Sequence, residues 1–310
     1  MTAPAIEIQD LEKYYGETTA LAGVSLAIAP GEMFGLIGPD GAGKTTLIRI
    51  LTSLLDPDRG QCRLQQIDVT EDPARIRRII GYMPQRFSLY PDLTVGENLR
   101  FFADLFQVPR AERQQRTSEL LDFSRLSPFV KRRAGRLSGG MKQKLALACA
   151  LVHTPEVLIL DEPTTGVDPV SRREFWDILG RLQQGGTTIL VSTPYMDEAE
   201  KCDRAALMHK GEILATGPAA DITAGFPGTV FAVVSRDLPA LADWLKKQVG
   251  AEQVRILGDR VRLSLFGQDP RLAMDDLMDR ARGDGVIMET AEPVAPELED
   301  TFVAMIAATE

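Results

Sequence analysis

Several things this chain has little of already narrow what it is. Its 310 residues include three cysteines, Cys62, Cys149 and Cys202. They lack metal-ligand spacing and cannot all pair with one another, so reduced thiols in a cytosolic protein are expected. No stretch approaches the ~18 to 20 consecutive apolar residues needed to cross a bilayer; Leu145–Val152 and Val157–Leu160 are far too short. Met1–Asp10 has no basic start followed by an apolar core, so no secretory signal is expected. Internal repeats, low-complexity tracts and long linkers are missing as well. Basic side chains are outnumbered 35 to 44, for a net charge of −9, which disfavours a surface built throughout for phosphate backbones. A hydrophobic fraction of 44% with 25% charged residues is ordinary for a globular protein and excludes wholesale disorder. Histidine is scarce too: only His153 and His209 are present.

What is present alternates. Over the first two thirds, short apolar runs at Met33–Ile37, Val157–Leu160 and Thr188–Ser192 predict strands, each followed by a helical pattern, which points to an α/β domain. Leu99–Phe106, Glu112–Phe123 and Met141–Val152 carry apolar residues at helical spacing. The last eighty or so residues read differently. A strand at Thr229–Val234 and a helix at Leu238–Val249 precede a hairpin, Gln253–Leu257 and Arg260–Phe266, turning at Gly258-Asp259. A helix at Pro270–Arg282 and a closing strand at Val286–Thr290 complete a βαββαβ order, the split βαβ pattern of ferredoxin-like α+β domains. The Gly225, Pro227 and Gly228 cluster marks the expected boundary, giving domains 1–225 and 226–310. An amphipathic segment, Glu297–Ile306, follows Pro293 and Pro296.

The strongest local pattern is Gly38-Pro39-Asp40-Gly41-Ala42-Gly43-Lys44-Thr45, followed by Thr46, which fits the phosphate-binding loop G-x-x-x-x-G-K-[ST]. Glycines let the backbone curl with its N–H groups facing phosphate oxygens. Lys44 would neutralise the β- and γ-phosphates, and Thr45 would coordinate Mg²⁺. The helix expected from Thr45 to Leu54 aims its positive end at the same anion. A second signal is the apolar run Val157–Leu160 ending abruptly in Asp161-Glu162. Ligands bind outside the carboxyl ends of parallel strands, so Asp161 is a candidate for the Mg²⁺ shell and Glu162 for orienting or deprotonating water. Acids also mark strand ends simply because solvent begins there.

Between these motifs lies Leu137-Ser138-Gly139-Gly140-Met141-Lys142-Gln143-Lys144. It resembles the LSGGQ signature of ABC-type ATPases, with Met141 in place of Gln. Gln85, after Gly81-Tyr82-Met83-Pro84, resembles the family's Q-loop, and Asp168 in Gly166-Val167-Asp168-Pro169 its D-loop. Tyr15, in Lys13-Tyr14-Tyr15-Gly16, stands where the family stacks an aromatic on adenine, with Tyr14 one residue away as the competing candidate. The resemblance spans roughly Ile6 to Thr216. Taken alone, Ser138-Gly139-Gly140 also reads as a turn with a helix cap, and Asp168 as a turn residue before Pro169.

The resemblance implies a P-loop NTPase core with a helical signature subdomain, using ATP and Mg²⁺. It implies a head-to-tail pair of ATP-binding subunits, in which Ser138, Gly139 and Gly140 address the ATP of the opposite subunit and Asp168 lies at the dimer contact. Gln85 would sense the γ-phosphate and join Thr45 and Asp161 around Mg²⁺, while Glu162 and Gln85 serve hydrolysis. The segments Phe87–Leu99 and Tyr195–Glu200 are similar to exporters with ABC-2-type permeases, and Glu297–Phe302 to the tail of drug-export ATPases or to a plain closing helix. The implied partner is a separate membrane permease, the implied place the cytoplasmic face of the inner or plasma membrane, and no nucleic acid is expected. A soluble ABC ATPase acting on nucleic acid or ribosomes fits less well, since the coiled-coil insert or second cassette usual there is missing.

The pattern breaks at one position. The family carries a histidine after the strand ending Ser192-Thr193; here the residue is Pro194. Proline has neither an imidazole nor a backbone N–H to offer a γ-phosphate. Slowed hydrolysis, a regulatory subunit, or a heterodimer whose partner supplies a complete site are the resulting expectations.

Overall fold

A strand that is apolar on both sides is stable only where both faces of its sheet are covered. The computed structural model, which describes residues 3–86 and 89–309, builds its first unit on that rule. In chain order the elements are β1 (Ile6–Tyr15), β2 (Thr18–Ile28), β3 (Met33–Ile37), α1 (Lys44–Leu51), β4 (Arg59–Leu64), β5 (Ile67–Asp68), α2 (Pro73–Ile79) and β6 (Ile80–Met83). Then come α3 (Val95–Leu105), α4 (Arg110–Phe123), α5 (Gly139–Leu151), β7 (Val157–Asp161), α6 (Pro169–Gln184), β8 (Thr188–Thr193), β9 (Arg204–His209) and β10 (Glu212–Gly217).

The central sheet has the order β10-β9-β3-β8-β7-β6, and the pairs from β9 through β6 are parallel. Its strands divide their side chains between two cores. Val157 and Ile159 of β7 join one core with Phe34, Leu36, Leu190 and the α1 residues Leu47, Ile48, Ile50 and Leu51. Leu158 and Leu160 join the other, with Ile189, Val191 and the helix residues Leu145, Phe175 and Leu179. The period-two alternation of a strand thus serves both layers. The first core is closed on its far side by a four-stranded antiparallel sheet, β2-β1-β4-β5, whose β1 ends at Tyr15.

Several boundaries differ from those expected. Helix α3 starts at Val95 rather than Leu99, because Thr94 and Glu97 form a reciprocal capping box four residues earlier. Helix α5 starts at Gly139, with the Ser138 hydroxyl accepting from the Met141 N–H. Phe87 and Ser88, within the exporter-like segment, lie outside the described residues.

The second compact unit covers residues 217–310. It contains α7 (Ala219–Ala224), β11 (Gly228–Val234), α8 (Leu238–Val249), β12 (Val254–Leu257), β13 (Arg260–Phe266), α9 (Pro270–Gly283), β14 (Thr290–Val294) and α10 (Leu298–Thr309). The units divide at Thr216/Gly217, not at the Gly225–Gly228 cluster, because α7 packs against α10 within the second unit. The sheet order β12-β13-β11-β14, antiparallel throughout, is the split βαβ arrangement. Its last strand lies four residues beyond the expected Val286–Thr290. Val286 instead closes the end of α9, its N–H bonded to the Ala281 carbonyl, and packs with Met288 into the core under α8 and α9. Pro293 is accommodated in β14 because that strand is an edge.

On the opposite face of this sheet, Arg262 of β13 is buried and pairs with Glu297 and Asp300 at the start of α10. Arg255 of β12 joins Asp300 and Glu299 in the same network. Asp300 also accepts from the Glu297 N–H, so one buried carboxylate fixes the first turn of α10 to two strands.

Candidate nucleotide site

The loop between β3 and α1 leaves no room for side chains at two of its glycines. A Cβ on Gly38 would stand 2.2 Å from the Met208 carbonyl oxygen of β9. Gly43 has φ +106°, and a Cβ there would meet the Ala20 carbonyl at 2.5 Å. The loop is therefore pressed between β9 and β2, curled as a cradle whose open side leads to the N-terminus of α1.

Lys44 opens α1 and is buried. Its Nζ donates to the Gly38 and Pro39 carbonyls at 2.7 and 3.0 Å and lies 3.2 Å from Glu162 Oε1. Glu162 is buried as well, and its second oxygen accepts from Gln85 Nε2 at 3.0 Å and from Thr165 Oγ1 at 3.3 Å. Its backbone sits at φ +48°, a left-handed conformation unusual for glutamate. Two hydrogen bonds hold its N–H there, to the Ser192 hydroxyl and carbonyl oxygens at 3.0 and 3.1 Å.

Asp161, the last residue of β7, accepts from Thr45 Oγ1 at 3.2 Å and from Ser192 Oγ at 2.7 Å. Burial pushes its pKa up, partly offset by these two hydrogen bonds. A desolvated carboxylate beside a threonine hydroxyl is a hard-oxygen pair suited to Mg²⁺. Among the described residues no group of three or more His, Cys, Asp or Glu side chains is placed to hold a metal alone.

A cavity of about 370 Å³ runs along this wall, from Tyr15, Thr18 and Thr19 at one end, past loop residues 40–46, to Gln85 and Glu162 at the other. It brings together Tyr15, Asp40, Gly41, Ala42, Gly43, Lys44, Thr45, Thr46, Gln85 and Glu162. Tyr14 does not line it; its hydroxyl donates to Glu12 and its N–H to Asp58. Ser138, Gly139, Gly140 and Asp168 lie apart from that cavity. Ser138 and Gly139 are exposed, and Asp168 caps α6 by accepting from the Ser171 N–H at 2.9 Å, which holds its carboxyl below the usual range. The N-termini of α5 and α6 adjoin: a Cβ on Gly140 would reach the Ser171 side chain at 2.5 Å.

His153 stacks on Phe106 with ring centroids 3.9 Å apart, and its Nε2 lies 2.8 Å from the Ile80 carbonyl oxygen. Burial lowers its pKa, as befits a packed, neutral ring. Sequence reasoning passed over Ser192, which links Asp161 to Glu162. The signal was a hydroxyl pair, Ser192-Thr193, closing an apolar strand, the same kind of break that singled out Asp161-Glu162.

Residues 21–165 match the family model described as ABC transporter. The chain is 42% identical over 272 residues to Nod factor export ATP-binding protein I of Paraburkholderia xenovorans, covering 87% of this chain and 89% of that protein. The chain belongs to the ABC transporter ATP-binding proteins. It is also 36% identical to the daunorubicin resistance ATP-binding protein DrrA3 of Streptomyces coeruleorubidus, over 98% of this chain and 96% of that one. Against the probable multidrug ABC transporter ATP-binding protein YbhF of Escherichia coli it is 41% identical over 99% of its length, yet spans about half (53%) of that relative. Among solved structures, an ATP-binding subunit of an ABC transporter superposes with a TM-score of 0.65 at 32% identity, covering 71% of this chain and 92% of that one. A dimeric ATP-binding cassette in a post-hydrolysis state, bound to ADP and phosphate, gives 0.63 at 28%, covering 69% and 98%. The ABC ATPase core of this chain is thus an α/β P-loop fold, and no helix among its described residues is long and apolar enough to cross a membrane.

Proposed function

We propose that this chain binds ATP with Mg²⁺ in the cavity above α1, hydrolyses it, and so drives export through a separate membrane permease. The observation that carries this reading is the convergence of Lys44, Gln85 and Glu162 on one wall of the cavity. Phosphate would take Lys44 from Glu162, and the loop N–H groups and the α1 N-terminus would bind the same charge. Thr45 and Asp161, with Gln85, would hold Mg²⁺, which neutralises charge developing on the transferred phosphoryl. The freed Glu162 carboxylate would then accept a proton from, or orient, the attacking water. Tyr15 would stack on the base at the far end.

Ser138, Gly139 and Gly140 stand at the N-terminus of α5 and do not line this chain's own cavity. That suits service to the ATP of a second subunit, as does the dimeric form of the cassette it resembles. An apolar groove of about 430 Å³, lined by Tyr82, Met83, Phe102, Leu105 and Phe106 and edged by Arg77 and Arg78, suits a short amphipathic permease helix. Met83 stands two residues before Gln85, so whatever fills the groove is tied to the γ-phosphate end of the site. The names of the relatives favour an exporter; the ABC-2-type permease and the cytoplasmic membrane face rest on the exporter-like segments Phe87–Leu99 and Tyr195–Glu200. Residues 1–216 form the ATP-binding domain, and 217–310 an accessory domain for subunit contact or regulation.

Pro194 favours a second form of the reading, in which this subunit hydrolyses slowly or works beside a partner with a complete site. The test is turnover by the purified chain alone and with its co-purified permease and any second ATPase. Glu162→Gln is expected to abolish hydrolysis while retaining ATP binding, and Lys44→Ala to lose both. ATP turnover that survives Glu162→Gln would overturn the assignment.

A further inference from the structure

Behind the nucleotide site lies a further buried carboxylate, besides Asp161 and Glu162, to which the proposed function gives no role. Glu198 is 2% exposed and sits in the short 3-10 segment Met196–Lys201. Its oxygens accept from Thr193 Oγ1 at 2.5 Å, Thr164 Oγ1 at 2.8 Å and Trp176 Nε1 at 2.9 Å, and Arg172 Nε stands 3.6 Å away. These donors come from three separate stretches of chain. Thr193 ends β8, directly before Pro194. Thr164 lies two residues after Glu162, in the loop where Thr165 bonds Glu162. Trp176 and Arg172 belong to α6, which Asp168 caps.

The need for such an anchor follows from Glu162 itself. A glutamate at positive φ is held there only when its surroundings over-determine it. On the N-terminal side Ser192 does so. On the C-terminal side the chain runs through Thr164, whose hydroxyl is bound to Glu198. The Pro194 turn is gripped by the same group: the Thr193 hydroxyl donates to Glu198 and accepts from the Tyr195 N–H at 3.1 Å. The Arg172 guanidinium, 4.0 Å above the Tyr195 ring, closes the circuit. With no imidazole at position 194, the geometry of this turn depends on its flanks.

We propose that Glu198 is a positioning residue for ATP hydrolysis, tying the Glu162–Thr165 loop, the Thr193–Tyr195 turn and helix α6 into one rigid unit. This rests on the proposed hydrolytic function, and it requires that Glu198 act on turnover while leaving nucleotide binding alone, since it touches nothing in the cavity.

The test compares wild type with Glu198→Ala, Glu198→Gln, Thr164→Val and Thr193→Val. It measures kcat and KM for ATP, binding of a fluorescent ATP analogue, and the melting temperature. Misplacing a catalytic group by an ångström costs up to about a hundredfold, so Glu198→Ala should lower kcat at least about tenfold. KM and analogue binding should stay within about twofold, since the cavity is untouched. Glu198→Gln, which keeps an acceptor for Thr164 and Trp176, should recover part of the loss. If Glu198→Ala does not fold, the two threonine variants each remove one donor only and should lower kcat with KM unchanged. Variants that lose melting temperature but keep wild-type kcat would leave Glu198 a structural residue and overturn the proposal alone. A wild type that binds ATP without turning it over would overturn both this role and the hydrolytic reading.

Discussion

Pro194 is the position at which the proposed mechanism lacks an imidazole. Supplying an imidazole at that point, as Pro194→His, is expected to raise single-turnover hydrolysis at least about tenfold, within the range general acid–base groups contribute. Equal rates for the two proteins would show that the missing histidine limits nothing. His153 offers a prediction of another kind. Its folded pKa lies below the ordinary 6.5, so the unfolded chain binds the proton first. The stability tied to its neutral ring is complete above that value and is lost as the pH falls toward the folded pKa. His153→Gln, which keeps a donor for the Ile80 carbonyl, should flatten the drop in melting temperature between about pH 7.5 and 5.5. At this scale much of the site was legible in the sequence, because a phosphate loop must be written in consecutive residues. Glu198 was not, since its importance comes from gathering Thr164, Trp176 and Thr193, which stand at unrelated spacings along the chain.

Elements were legible where local chemistry decides them. Helix α8 spans the expected Leu238–Val249, started by Asp237 and Pro239 and stopped by Gly250. The hairpin β12–β13 turns where Gly258-Asp259 indicated. Strand β14 was misplaced because Val286 and Met288 have strand-like side chains but serve the core as loop residues, and only pairing with β11 selects Thr290–Val294. The attachment of α10 was likewise invisible: nothing in the spacing of Arg255, Arg262 and Asp300 announces that they meet. Removing Asp300 takes the buried partner from two arginines, leaving Arg255 with Glu299 and Arg262 with Glu297 and the Ala295 carbonyl. Asp300→Ala should therefore cost about 1.5 to 3 kcal/mol in chemical denaturation, the scale of a hydrogen bond to a charged group.

For the whole molecule, two compact units, each packed around its own buried apolar residues, predict two unfolding transitions. A ligand stabilises only the unit that binds it, so ATP with Mg²⁺ should raise the transition of residues 1–216, read by calorimetry in the Glu162→Gln variant to prevent turnover. Asp300→Ala should lower the other. If ATP moved neither transition, the cavity would not be its site. Charge follows the same division. Residues 217–310 carry nine basic and sixteen acidic side chains, so seven of the nine net negative charges belong to the second unit. The acidic balance that disfavoured nucleic acid therefore says little about the ATP-binding unit, which is nearly neutral.

The Lys44–Glu162 pair has a consequence for experiments that trap nucleotide. Without ligand, Glu162 acts as a tenant in the phosphate's place, and ATP must evict it before Lys44 is free. Glu162→Gln removes the sitting anion as well as the catalytic group. Tighter ATP binding by that variant would thus have two sources, and only the portion also seen with a non-hydrolysable analogue measures the eviction.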